Sequence, residues 1–502
     1  MQNHLPTNPS GGHIVPEKRK RYFYGYIVIN YSMESLSSTN FPPANKSDWL
    51  AQVQKELKDP AASESLRWHT GEGFVAEPYY TADDQVQEPL LRAGQQAQKQ
   101  TPGWLNAPIY ALTEDAQADN NMLRDALARG ADALVLVLGG IVAGSETVQR
   151  LSRLLNGIKL SDTPVFFRTD TTDAAAFIAA LKTVAPYQCK GGLLIDAGPH
   201  AVDPTRLTAD SPQFRTVCAS SHAFHNAGAT ATQELAFTLA RLTDAYDSLT
   251  DAGLTVDQLI PKTMLSVSVG TSYFMEIAKL RALRVLFTRF VGHYSFASAG
   301  IAPAHRDQTI THSLFIHAQT SAFYDAATTP YTNLLRATTE AMAAVVGGCE
   351  ALSVRPYDAV LGQQAADSDR EFAHRIARNV SVLLKEESYF NKVADPSAGS
   401  YYIENLTNQL AEAAWVLFLD VEQRGGFAKA FASGFIADEI EQAYQAKVEA
   451  VQNGKVLVGV TKFRHDEGET VAVKPVTFKK DLAGSENIPD RRLAEAFEGF
   501  TP

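Results

Sequence analysis

Short apolar runs alternate with longer amphipathic stretches along most of this chain. Eight runs read as strands: Ala107–Leu112, Ala133–Leu138, Pro164–Arg168, Gly192–Asp196, Thr216–Ser220, Met264–Ser268, Thr311–His317 and Ala351–Arg355. Most are near-continuously apolar, the pattern of parallel strands buried on both faces. Between them, Ala118–Arg129, Thr147–Ile158, Ala174–Val184, Ala229–Leu249, Tyr273–Phe290, Tyr331–Gly347 and Asp367–Glu387 repeat apolar residues at the helical period. Eight such units over roughly 280 residues predict an α/β fold, a (β/α)8 TIM-type barrel. The alternative, an open doubly wound sheet, calls for a glycine-rich phosphate loop after its first strand, and none is there. No sequence repeat of solenoid or propeller length occurs.

Two segments flank the predicted barrel, which spans residues 106–425. Residues 46–105 open with Lys46-Ser-Asp-Trp-Leu50, a helix start, and continue as a polar, loop-rich arm. Residues 426–502 follow the break at Gly425-Gly426 with further helix, a short strand at Val456–Val460 and a charged linker. Residues 1–45 read as a disordered leader. Its basic stretch Glu17-Lys-Arg-Lys-Arg21 precedes a short, Tyr-rich run without a small-residue cleavage site, so it does not read as a signal peptide. A start placed too early, with Met33 the true first residue, accounts for it.

Composition narrows the function classes. The 502 residues carry 45 Lys and Arg against 56 Asp and Glu, a net charge of −11. An acidic surface argues against nucleic acid or an anionic membrane as partner. Three scattered cysteines support neither a disulfide framework nor a zinc site and suit a reducing cytoplasm. No apolar run approaches the roughly 18 residues that span a bilayer.

In a barrel, binding groups sit where strands end. Those positions hold Arg168-Thr-Asp170, Ser220-Ser-His-Ala-Phe-His225, Ser268-Val-Gly270, His317-Ala-Gln-Thr-Ser321 and Arg355-Pro-Tyr-Asp358. Convergent polar groups there make a pocket; equally, polar residues at strand ends cap loops and meet solvent. His222 and His225 could chelate a metal or serve as hydrogen-bonded scaffold. No His-x-x-x-His spacing and no Gly-x-Ser-x-Gly elbow occurs.

Several longer stretches carry a resemblance. Tyr273-Phe-Met-Glu-Ile-Ala-Lys-Leu-Arg-Ala282, Asn333 to Gly348, Arg375-Ile-Ala-Arg-Asn379 and Asp395-Pro-Ser-Ala-Gly-Ser-Tyr-Tyr-Ile-Glu404 stand in the right order. Together they resemble the adenosylcobalamin-dependent methylmalonyl-CoA mutase family over about residues 46–500. The resemblance implies a barrel built around an acyl-CoA ester and an N-terminal arm that contacts a second subunit. It also implies a separate cobalamin domain marked by an Asp-x-His-x-x-Gly motif.

The departures are as informative. Catalytic members read Ser-Gly-Tyr-His-Met-Gln-Glu-Ala-Gly-Ala after strand five, and their His hydrogen-bonds the thioester carbonyl. Here Ser220 to Ala229 puts Ala223 in that place, and alanine cannot polarise a carbonyl. Where they carry Arg-Thr-His-Cys-Gln-Thr-Ser-Gly, this chain has Phe315-Ile-His-Ala-Gln-Thr-Ser-Ala322. His317 and Gln319 persist, so His222, His225, His317 and Gln319 are the remnants of a substrate pocket. No Asp-x-His-x-x-Gly occurs. The resemblance therefore implies the small, non-catalytic subunit of a heterodimeric mutase. It binds no cofactor or metal itself, holds acyl-CoA weakly at most, and pairs with a large subunit that carries adenosylcobalamin. That subunit would interconvert methylmalonyl-CoA and succinyl-CoA, the cofactor supplying the difficult chemistry. Two alternatives are the substrate barrel of a split mutase that takes cobalamin from a separate protein, and a module that holds an acyl-CoA without transforming it.

Overall fold

Asn45 caps the first helix. Its side chain accepts from the Asp48 amide while the Asp48 carboxylate accepts from the Asn45 amide, which satisfies two amides at a helix start. The computed structural model describes residues 45–58, 64–138, 145–169, 174–195, 202–298, 314–364, 367–464 and 488–498. The predicted leader before Asn45 lies outside them. Helix α1 (Lys46–Leu57) leads to an antiparallel ribbon of β1 (Trp68–His69) and β2 (Val75–Ala76), then to α2 (Glu88–Ala97).

Strands and helices then alternate. The first half holds β3 (Leu105–Asn106), β4 (Ile109–Ala111), α3 (Ala116–Ala128), β5 (Leu134–Leu138), α4 (Ser145–Leu154), β6 (Val165–Thr169), α5 (Ala174–Val184), β7 (Gly191–Leu193) and α6 (Val202–Leu207). The second half runs β8 (Phe214–Arg215), β9 (Val217–Ser220), α7 (His222–Ala227), α8 (Ala231–Asp251), α9 (Val256–Leu259), β10 (Thr263–Val269) and α10 (Tyr273–Ser298). It continues with β11 (Phe315–Thr320), α11 (Thr332–Val346), β12 (Ala351–Ser353) and α12 (Asp367–Glu386). Three helices follow: α13 (Tyr401–Gln423), α14 (Phe427–Ala432) and α15 (Phe435–Gln452). Among the described residues no helix is long and apolar enough to cross a membrane.

The strands pair, all in parallel, as two five-stranded sheets in the orders β3-β12-β11-β10-β9 and β4-β5-β6-β7-β8. A single closed ladder was the expectation from sequence, and the ladder is interrupted at two seams. At the first, Pro108 separates β3 from β4 and has no N–H to contribute. Across it, Ala107 donates to the Leu352 carbonyl in one sheet while the Pro108 carbonyl accepts from Val135 in the other. At the second, Thr216 stands between β8 and β9 and donates to the Lys262 carbonyl. The mixed α/β arrangement is consistent with a TIM-type fold.

Side chains alternate along each strand, so each sheet has two different neighbours. One set (Leu134, Leu136, Leu138, Val165, Phe167) packs with the flanking helices of the first half. Val217, Ala219, Leu265, Val267, Ile316, Ala318 and Leu352 do the same in a larger core with α8, α10, α11 and α13. The other set forms a separate inner cluster of Ala107, Ala133, Val135, Phe166, Leu194, Cys218, Met264, Phe315 and Ala351. Each of the eight predicted strand positions supplies at least one of them.

Two segments depart from the sequence reading. The seventh strand runs Phe315–Thr320 rather than ending at His317; Gln319 and Thr320 look like loop residues but face buried surroundings. The expected strand at Val456–Val460 is a turn joined by an isolated Val458–Lys462 bridge, because Gly459 takes φ of +78°. The helix break at Gly425-Gly426 does occur. Gly426 has φ of +88°, and a Cβ there would stand 2.7 Å from Asp244 Oδ1. That carboxylate accepts from the Phe427 and Ala428 amides and so caps α14. Gly426→Ala therefore combines the strain of a backbone conformation essentially confined to glycine (φ 88°, ψ 177°) with a displaced cap. We expect a loss of about 1–3 kcal/mol in chemical denaturation, larger than that of Gly434→Ala, which sits in the left-handed region and meets nothing within 4 Å.

Candidate functional site

Alternation along the strands places a polar layer directly above the inner apolar cluster. Met264 and Phe315 belong to the cluster; two residues on, Ser266 and His317 stand at the same register. One further step gives Ser268 opposite Gln319, and Gln319 opposite Ser353. All of these side chains are buried. In such surroundings each polar atom needs a partner.

The partners are other side chains. His222, the first residue of α7, has Nδ1 2.7 Å from Ser268 Oγ and Nε2 2.7 Å from Ser266 Oγ. Ser266 Oγ is also 2.8 Å from His317 Nδ1. His317 Nε2 lies 2.9 Å from Ser353 Oγ, which donates to the Ala107 carbonyl at 2.6 Å. Burial, reinforced by the Arg168 charge, pushes His317 down to about 3 and lowers His222 well below its usual range. Both imidazoles are therefore neutral near pH 7. Gln319 Oε1 accepts from Arg168 Nη2 at 3.3 Å.

The predicted site residues thus separate into three places. His222, His317 and Gln319 share the polar layer. His225 does not join them: its Nδ1 donates to Glu234 Oε1 at 2.7 Å and its Nε2 meets Ser321 Oγ at 2.7 Å. The possible His222–His225 chelate is not formed, because the two rings project from one turn of α7 into different networks. Ala223, between them, is half-buried. Phe315 lies deeper, in the apolar cluster, with its ring 5.6 Å from Phe166 and the Arg215 guanidinium carbon 4.1 Å above it. Among the described residues no three His, Cys, Asp or Glu side chains form a metal-binding group.

Behind His225 lies a buried charge network that sequence reasoning missed. Lys279 on α10 donates to Glu234 on α8 at 3.1 and 3.2 Å and to the Ser268 carbonyl at 2.9 Å. Glu276 Oε2 is 2.7 Å from the same ammonium. Burial alone would raise Glu234, but Lys279 and His225 outweigh it and hold the carboxyl at about 2. Glu276 stays raised by burial despite Lys279. Ser221 donates to Glu234 Oε2 at 2.9 Å. Ser321, His225 and Glu234 line up as hydroxyl, imidazole and carboxylate, as in a hydrolase triad. Yet Ser321 Oγ also accepts from the Phe323 amide, and the side chain is only 2% exposed. This triad serves as scaffold. Ser268 stands among the strand-end positions read from sequence; Ser266 does not, although it had a signal, since Ser266 and Ser268 alternate with Leu265, Val267 and Val269 at period two.

An α/β protein with parallel sheets and a polar layer at the strand ends, where barrel enzymes hold their substrates, is the class these observations define. The chain belongs to the methylmalonyl-CoA mutase family: the family model described as methylmalonyl-CoA mutase matches residues 203–489. The chain is 31% identical to the methylmalonyl-CoA mutase small subunit of Porphyromonas gingivalis, over 92% of this chain and 79% of that protein. The small subunit from Streptomyces virginiae is also 31% identical, over 92% and 76%. The methylmalonyl-CoA mutase of Rhizobium meliloti is 30% identical over 85% of this chain, which spans 65% of that longer protein.

Glu340 on α11 supplies a test of the site's electrostatics. One carboxylate oxygen accepts from the Ser321 amide at 3.0 Å and the other is buried without a hydrogen-bond partner. Burial, with Asp325 and Glu276 adding to it, raises its titration well above the ordinary carboxyl range. The folded form keeps its proton while the unfolded chain ionises above about pH 4.5. Stability is therefore fully present below that pH and is lost as pH rises toward the folded value. Glu340→Gln should match the parent near pH 4 and exceed it at pH 8 in urea titrations; equal stability at both pH values would contradict the raised titration.

Proposed function

We propose that this chain is the small, structural subunit of a heterodimeric methylmalonyl-CoA mutase, built as a (β/α)8 barrel, while a larger partner carries out the methylmalonyl-CoA to succinyl-CoA interconversion. The observation that carries the reading is the commitment of the polar layer to itself. Ala223 offers no donor at the place where the family's histidine would meet a thioester, and the neighbouring His222 and His317 have all four ring nitrogens in hydrogen bonds to serines. Phe315 adds an aromatic ring to the inner cluster, packed on Phe166 and Arg215. A guanidinium at that position would have faced a different chemistry altogether.

Several features support the partnership. The small-subunit naming of the relatives from Porphyromonas gingivalis and Streptomyces virginiae fits a chain that works beside another. Adenosylcobalamin, when bound, supplies the radical that starts this rearrangement. The described residues at the strand ends do not fit as its holders, since His222, His225 and His317 each have both ring nitrogens engaged. The cofactor therefore belongs to the partner in this reading. Residues 46–105 form the arm for subunit contacts, and 426–502 a C-terminal extension. The split-mutase alternative requires a thioester donor among these residues, and the same hydrogen bonds weigh against it.

The purified chain with adenosylcobalamin and methylmalonyl-CoA should give no succinyl-CoA, and addition of a large mutase subunit should give turnover. Turnover by this chain alone overturns the proposal. A second expectation concerns the barrel interior: Phe315→Ala removes a ring from a filled layer and should lower stability by about 3–5 kcal/mol, read by denaturant unfolding, without creating turnover.

A further inference from the structure

One main-chain carbonyl settles the direction of every hydrogen bond in the polar layer. Ala107 O can only accept, so the single hydroxyl hydrogen of Ser353 is committed to it. Toward His317 Nε2, at 2.9 Å, Ser353 Oγ must then accept, which places the proton of that imidazole on Nε2. His317 Nδ1 is bare, and Ser266 donates to it at 2.8 Å. With its hydrogen spent there, Ser266 Oγ accepts from His222 Nε2 at 2.7 Å. His222 Nδ1 is bare in turn and takes the Ser268 hydroxyl hydrogen at 2.7 Å.

We propose that Ser353 is a positioning residue that fixes the tautomers of His317 and His222, making these five side chains a one-way hydrogen-bond chain. None of Ser353, His317, Ser266, His222 and Ser268 has a hydrogen left over. Toward anything entering from the strand ends they present acceptor lone pairs only. A thioester or other carbonyl group, which needs a donor, finds none among them; a ligand bearing its own N–H or O–H is the chemistry they could accept. Specificity of this kind follows from unpaired polar groups more than from shape. The chain's direction depends on β12 lying beside β3, since only that pairing brings Ser353 to Ala107. In this way an anchor at the β3 seam controls a histidine on the helix that follows β9, four strands away in the sheet.

The inference deepens the reading of the site as closed to acyl thioesters, but it concerns proton positions and is measured separately from turnover. His225 provides an internal contrast. Its Nδ1 faces the Glu234 carboxylate and must carry a proton, the opposite pattern.

The test uses the full-length chain labelled with 15N-histidine and two-bond 1H–15N correlation spectra near neutral pH. His222→Gln and His317→Gln assign the signals. We expect His222 and His317 both protonated on Nε2 with Nδ1 bare, and His225 protonated on Nδ1. In Ser353→Ala both chain histidines should lose the fixed pattern and show mixed tautomers, whereas Ser353→Thr, which keeps the hydroxyl, should retain it. If Ser353→Ala does not fold, Ser353→Cys, a weak donor of similar size, should show the same loss. His222 or His317 protonated on Nδ1 in the parent chain overturns the proposal, and so does an unchanged spectrum in folded Ser353→Ala or Ser353→Cys. Turnover by the isolated chain would overturn the subunit reading and leave these tautomers standing.

Discussion

The Lys279 ammonium, 1% exposed and held between Glu234 and Glu276, is the interaction on which the arrangement of the strand ends depends. Removing a charge from water costs several kcal/mol, and attraction to a partner offsets it only where the geometry is fixed. Here the geometry is fixed by three strands at once. Lys279 holds the end of β10 through the Ser268 carbonyl. Glu234 holds the turn after β9 through Ser221 and His225. His225 holds the turn after β11 through Ser321. The clustering leaves little room: a Cβ on Gly270 would stand 2.7 Å from the Tyr324 ring and 3.2 Å from Glu276 and His225. A buried ion pair adds little net stability, but it makes other placements of these turns expensive, and so it defines where α7 sits.

That placement decides the chemistry of the polar layer. α7 carries His222 inward over Ser266 and Ser268, and His225 outward to the charge network, so one short helix couples the two. A buried imidazole left without partners would cost about 1–3 kcal/mol per unsatisfied group. The chain meets that requirement internally, with hydroxyls from β10 and β12. An enzyme's site reverses the choice: it keeps donors unpaired, or paired only with water, until a substrate arrives. Internal satisfaction and substrate binding compete for the same hydrogens.

Much of the architecture was legible from the hydrophobic pattern. All eight strand positions and the seven predicted helices appear, because long apolar runs and period-3.6 repeats are set by burial. The misread places have specific causes. The β3–β4 seam is written in Pro108, but a proline at a strand position could equally have meant an edge. The pattern ends this strand at His317, three residues short of Thr320, because Gln319 and Thr320 are polar, and polarity at a strand end looks the same whether it faces solvent or an interior polar layer. The site was legible only as substitutions. Ala223 and Phe315 are named by comparison with a motif, and that comparison treats them alike. The structure separates them, one half-buried on a helix turn and the other packed in the apolar cluster two residues below His317.

Sequence could not reveal the partners of the histidines, since Ser266, Ser268 and Ser353 lie 36 or more positions from the histidines they bind. Each looks like an unremarkable small residue in an apolar strand. Their role emerges only once parallel register places Ser266 beside His317 and Gln319 beside Ser353. Position 223 stands apart from that register: Ala223 is half-buried on α7, between a histidine committed to Ser266 and Ser268 and one committed to Glu234. The layer is built from three strands and a helix, and the charge network that fixes α7 reaches it through the Ser268 carbonyl and His225.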